Sequence, residues 1–310
     1  MKWPCNKDFA FTIIDDTDNS TITNTKPVYD LLYSNGLRTT KTVWVYPPRD
    51  SFKGSALTSD AKYLDYVKEL AEKGFEIQLH NVGSGFFSRA EILEGLDVFE
   101  KMLETKPTIQ INHNINPDNI YWGQKRHVFP LNLIISMLKP YPYLGGHTPS
   151  SEHFWGDWVK RHIKYSRNHT FLGINTLKFD PKMPYRVKHK ANGPMYWFSS
   201  SDAYAVENFN QLLSKRNIEK LKKENGCCII YTHFASRFVG KDGMLNNEFK
   251  KRIEYLSNQN GYFATASEIL DHLLKQKKAS NHYASWFYLA QLDLKWIVNK
   301  IRKKILFPEQ

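Results

Sequence analysis

Five side chains could do hydrolytic chemistry together: Asp15, Asp16, His80, His113 and His233. Adjacent carboxylates near imidazoles suit metal-assisted hydrolysis. One carboxylate binds a divalent cation, and the other takes a proton from a water held by that cation, whose pKa falls to about 7. A histidine opposite them protonates a departing amine, a contribution on the order of 10²–10⁴ in rate. Taken alone, Asp15-Asp16 followed by Thr17, Asp18 and Asn19 also fits a polar turn. Each histidine taken alone fits a hydrogen-bonded strand end. The argument for function is where the five residues fall.

Each of them follows an apolar, β-branched run. The pattern predicts strands at Phe9–Ile14, Thr42–Tyr46, Phe75–Leu79, Thr108–Ile111, Cys227–Tyr231 and Tyr262–Thr265. Helical periodicity lies between them. It predicts helices at Pro27–Ser34, Ser59–Lys73, Ser88–Glu104, Leu131–Leu138, Asp202–Asn225 and Ser267–Lys275. Ser88 and Glu91 have the spacing of a capping box. Residues 140–200 are aromatic and Pro-rich and give no clear pattern. Alternating β and α units imply a mainly parallel sheet or barrel, with sites at the C-terminal ends of its strands. Four strand ends would then deliver acids and imidazoles to one rim.

The residues also carry a family resemblance. Phe11-Thr12-Ile13-Ile14-Asp15-Asp16 resembles the T-F-D-D motif of the polysaccharide deacetylase superfamily (the NodB homology domain, carbohydrate esterase family four). Gly74-Phe75-Glu76-Ile77-Gln78-Leu79-His80 resembles the approach to its metal-binding histidine. Ile229-Ile230-Tyr231-Thr232-His233 resembles its late strand bearing the general acid, and Gly261 to Thr265 its closing segment. The order matches across roughly residues 8 to 276. The resemblance implies an α/β fold, a distorted (β/α)7 barrel, and removal of acetyl groups from acetylated sugars. It implies Asp15 as base, Asp16 and His80 as ligands of a zinc-type divalent metal, and His233 as acid.

The departures from the family pattern are local. The family's H-x-x-x-H reads His80-Asn81-Val82-Gly83-Ser84, which puts a poor zinc ligand where the second histidine should be. Asn112-His113-Asn114 stands where the family has R-x-P-Y. We expect His113 to supply the missing ligand, with His147 as the competitor. Asp157 is the candidate to orient His233.

Hydrophobic residues make up 41% of the 310, enough for a large core, so disorder is excluded as the main state. The net charge of +12 suits an anionic partner. No nucleic-acid motif accompanies it, and none is expected as a partner. Cys5, Cys227 and Cys228 form no C-x-x-C pair. That spacing, and an N-terminus without a signal-like apolar stretch, lead us to expect a cytoplasmic protein. The domain expectation is a barrel over 1–278 and a basic amphipathic helix over 279–310. That helix has three readings: packing on the barrel, partner binding, or peripheral membrane contact. The expected function is metal-dependent deacetylation of an acetamido sugar, free, nucleotide-linked or lipid-linked, in surface-polysaccharide biosynthesis. The alternatives are an amidase or esterase for another acyl group and a non-catalytic carbohydrate-binding module.

Overall fold

The computed structural model describes residues 2–113, 116–138, 145–277 and 282–306. Eight parallel strands make one sheet: β1 (Phe9–Asp15), β2 (Thr40–Val43), β3 (Glu76–Leu79), β4 (Ile109–Gln110), β5 (Tyr165–Phe171), β6 (Tyr196–Asp202), β7 (Cys227–Thr232) and β8 (Gly261–Phe263). Their order is β2-β3-β4-β5-β6-β7-β1-β8, and a further β1–β2 pairing closes the first seven into a barrel. One edge of β1 is divided. Phe9 to Phe11 pair with β8, and only Ile14 and Asp15 pair with β2. The barrel therefore closes only at the C-terminal rim of β1, while β8 fills the gap below. This is the expected distorted (β/α)7 barrel.

The helices are α1 (Ile22–Ser34), α2 (Ala61–Glu72), α3 (Arg89–Leu103), α4 (Leu131–Leu138), α5 (Gly156–His162), α6 (Thr176–Phe179), α7 (Val206–Leu212), α8 (Lys215–Lys223), α9 (Asn247–Ser257), α10 (Ala266–Lys275) and α11 (Trp286–Leu306). The Ser88–Glu91 capping box is present and starts α3. The helix expected over Asp202–Asn225 differs in two ways. Asp202 ends β6, and Ser214 interrupts the helix by capping the Asn217 N–H, which splits it into α7 and α8. Helix α9 was not expected. It buries Phe249, Ile253 and Leu256, with Phe249 against Phe209 and Phe238.

Helix α11 packs on the barrel through Tyr288, Leu289 and Leu292. Polar anchors hold it as well. Asn299 Oδ1 accepts from Leu172 N–H at 2.8 Å, and Lys303 Nζ lies 3.0 Å from Asp202 of β6. Packing on the domain is thus the reading the structure supports for its inner face. No described helix is long and apolar enough to cross a membrane.

Candidate metal centre and active site

Side chains alternate between the two faces of a strand, so neighbouring aspartates cannot face the same way. Asp15 turns outward to the helix layer. Its register partner on the closing seam is Lys41, whose Nζ lies 3.2 Å from Asp15 Oδ2. The Tyr29 hydroxyl donates to the same oxygen at 3.0 Å, and Phe234 N–H donates to Oδ1 at 2.8 Å. Both charges are fully buried. Burial alone would push the Lys41 ammonium down, but Asp15 beside it holds it above its usual range. Asp15, expected as the base, is instead half of a closed ion pair that staples the barrel seam. It does not line the pocket at the rim.

Asp16 faces the barrel interior. Arg167 of β5 reaches it from across the barrel: Nη1 donates to Oδ1 at 3.1 Å and Nη2 donates to Oδ2. Burial opposes the Arg167 charge, but Asp16 more than offsets this and keeps the guanidinium above its usual range. The Tyr231 ring lies 4.3 Å beneath the guanidinium. Asp16, expected as a metal ligand, is gripped by this fork and is not one of the converging donors.

Asp18 takes that place. Its carboxylate lies 3.0 Å from His80 Nε2, 3.4 Å from His113 Nδ1 and 3.2 Å from His233 Nε2. Donor atoms of Asp18, His80 and His113 all fall within 4.8 Å of one another. Burial pushes the Asp18 carboxyl up, yet its bonds to His233 and His80 win and hold it well below the carboxylate range. Burial lowers His233, and Asp18, Asp16 and Asp15 together outweigh that and raise it. His113 falls to about 4, first through burial and then through His80, so it stands as neutral imidazole. Asp16, Asp18, His80, Arg167 and His233 line one pocket of about 330 Å³.

The expected substitution of His113 for the missing histidine has a physical basis here. Ser84 Oγ–H donates to Asp50 at 2.6 Å, which turns its lone pairs to His113 Nε2 at 2.8 Å. That network assigns the His113 proton to Nε2 and leaves Nδ1 as the lone-pair nitrogen. Nδ1 is buried, has no hydrogen-bond partner and faces Asp18. His80 Nδ1 and His233 Nδ1 are orphaned as well. Two imidazoles and a carboxylate with unused buried nitrogen suit a zinc-type cation.

The other candidates lie elsewhere. His147 Nδ1 accepts from Tyr121 N–H at 3.3 Å and is outside the cluster. Asp157 takes a bidentate bond from Arg89, both at 2.8 Å, so it does not orient His233. A second convergent group, His127, His169 and Asp293, ties α11 to the barrel. There Asp293 accepts from His127 Nδ1 at 2.8 Å and from Val128 N–H at 2.9 Å. Tyr141 and Tyr143, in the aromatic, Pro-rich stretch, lie outside the described residues.

Asp18, Arg167 and the Asp50–Ser84 pair were not foreseen. Two signals were available: Asp16 and Asp18 are two apart, and Arg167 is a charge inside an otherwise strand-like run.

No family model matches this chain, and no curated protein sequence does. Solved structures do. The probable polysaccharide deacetylase of Pseudomonas aeruginosa PAO1 is 13% identical, with a TM-score of 0.51 over 88% of this chain and 93% of that one. Puue allantoinase is 12% identical, with a TM-score of 0.53 over the same shares of the two chains. At such identities the likeness is one of fold. The chain has the barrel fold seen in the polysaccharide deacetylase structure.

Proposed function

We propose that this protein is a divalent-metal-dependent hydrolase that removes an acetyl group from an acetamido sugar. The observation that carries this reading is the convergence of Asp18, His80 and His113 beside Asp16 and His233 in one pocket at the C-terminal rim. Asp18, His80 and His113 would hold the cation. When bound, it supplies an acidified water and polarises an acyl carbonyl.

The protein's own residues do the rest. Asp16, fixed by the Arg167 fork, takes the proton from water. His233, which its aspartate neighbours keep readily protonated, gives a proton to the leaving amine. Asp15 only closes the barrel. The roles implied by resemblance for Asp15 and Asp16 thus move along the chain to Asp16 and Asp18. An acetylated glycan or sugar is the substrate class, in surface-polysaccharide assembly in the cytoplasm. Peripheral membrane contact through the outer face of α11 accords with its exposed Phe287, Leu294, Ile301 and Ile305.

The likeness to an allantoinase supports a second reading, hydrolysis of a different amide, since one fold can serve many substrates. Acetate release from acetylated sugars, set beside a panel of other amides, separates the two. The decisive pair of variants is Asp16→Asn and Asp18→Asn, with metal measured by elemental analysis. Asp16→Asn should keep about one equivalent of zinc and lose about 10²–10⁴ in rate, whereas Asp18→Asn should lose the metal. A wild type that stays metal-free after zinc or cobalt is supplied, or an active Asp16→Asn, overturns the reading.

A further inference from the structure

We infer that the groove between α4 and α11 binds the hydrocarbon chain of a phosphate-bearing lipid that carries the sugar. The sugar end of this inference rests on the hydrolase reading. The lipid end rests on separate geometry.

Helix α4 reads Leu-Asn-Leu-Ile-Ile-Ser-Met-Leu and buries none of its residues. A surface helix normally turns its apolar stripe inward. Here Met137 and Leu138 are 77% and 80% exposed. Helix α11 carries a second exposed apolar stripe on its outer face, away from Trp296: Leu294, Val298, Ile301 and Ile305 recur at helical spacing and are exposed. Between the two helices lies a cavity of about 410 Å³ walled by Trp122, Ile135, Leu138 and Trp296. A cavity of that size suits a small ligand rather than a single water.

The groove adjoins the catalytic pocket: Trp122, Arg126 and Lys300 line both. Arg126 stacks over Trp122 at 3.7 Å, and Lys300 lies 5.6 Å from the Trp296 ring centre. From the barrel outward the order is therefore metal-donor cluster, cationic neck, apolar groove. A neutral soluble sugar would use only the first part. A molecule with sugar, phosphate and long chain in series uses all three. The phosphate meets cations and the chain meets apolar walls. The exposed remainder of α4 and α11 would face the bilayer that holds such a lipid.

The probes are methyl, octyl and dodecyl phosphate, each below its micelle concentration, titrated calorimetrically into the full-length protein. Affinity should rise with chain length by about two- to fourfold per methylene at first. Leu138→Glu, at a solvent-exposed position, should weaken dodecyl phosphate at least tenfold, and Lys300→Gln should weaken it more than it weakens a neutral dodecyl glycoside. Urea midpoints confirm that both variants fold. Dodecyl phosphate binding no tighter than methyl phosphate overturns the inference, and so does a Leu138→Glu variant that binds like wild type. A concentration-dependent dimer lost in Leu138→Glu, without dodecyl phosphate binding, would assign the face to a second copy and also overturn it. Because binding is read without turnover, the two readings fail separately. Tight chain binding with no acetate release removes the hydrolase, and acetate release with no chain binding removes the groove.

Discussion

Replacing Ser84 with alanine should weaken metal binding although Ser84 is not itself a ligand. Its hydroxyl accepts from His113 Nε2 at 2.8 Å and donates to Asp50 at 2.6 Å. Removing it frees the imidazole to turn and to change tautomer. Either change takes the Nδ1 lone pair away from Asp18. Partners of this kind behind a metal-bound histidine are worth about 10–100-fold in affinity, or roughly 1.4–2.7 kcal/mol. Asp50→Asn keeps an acceptor but loses its charge, so it should fall at the weak end of that range. The assay is zinc titration of the metal-free protein against a chromophoric chelator, beside urea unfolding of the same samples. The lost buried hydrogen bonds should cost stability on the order of 1 kcal/mol each, which leaves the variant folded. A folded Ser84→Ala protein with wild-type zinc affinity would refute the tautomer argument, and with it the reason for naming His113 a ligand.

Two further outcomes follow from the buried charges. Lys41→Met leaves Asp15 ionised and unpaired in the seam, so the urea midpoint should report a loss of about 3–5 kcal/mol. Adding Asp15→Asn should recover much of it, with zinc content unchanged in both; loss of zinc in the double variant would return Asp15 to the active site. His147 gives a pH test. Burial, its largest cause, lowers it to about 4, against about 6.5 when unfolded. Below pH 6.5 the unfolded chain binds a proton that the folded chain refuses, so stability is lost as pH falls from 6.5 toward 4. Between pH 7 and 5 the wild type should lose about 2 kcal/mol more than His147→Gln, and equal losses would show that the imidazole is not held neutral.

The barrel was legible because its strands are β-branched runs that end in polar residues, and the cap at Ser88 is a local signal. What was not legible depended on distance. Nothing near Asp15 announces Lys41, which meets it only where the barrel closes. Residues 140–200 hid β5 and β6 because these strands carry Arg167, Asn168 and a run of serines in place of an apolar, β-branched pattern. Helix α8 begins at a serine that resembles any polar residue of a continuous helix until its cap bond is seen. His80, His113 and His233 were legible as a set because strand ends in a parallel barrel share one rim.

The aspartates carry the wider lesson. A run of Asp15, Asp16, Thr17 and Asp18 looks like one acidic cluster, but the chain separates it into three environments. Strand parity sends Asp15 outward to an ammonium and Asp16 inward to a guanidinium. The turn after β1 then brings Asp18 beneath three imidazoles. Each carboxylate meets a different set of cationic or hydrogen-bonding neighbours, so on the proposed reading each serves a different purpose: closing the barrel, taking a proton, holding a cation. The same economy explains Ser84. A side chain as short as serine leaves room for the His113 ring from the neighbouring strand and fixes its far nitrogen. On the proposed reading, the donor that the family pattern places after β3 comes instead from the end of β4.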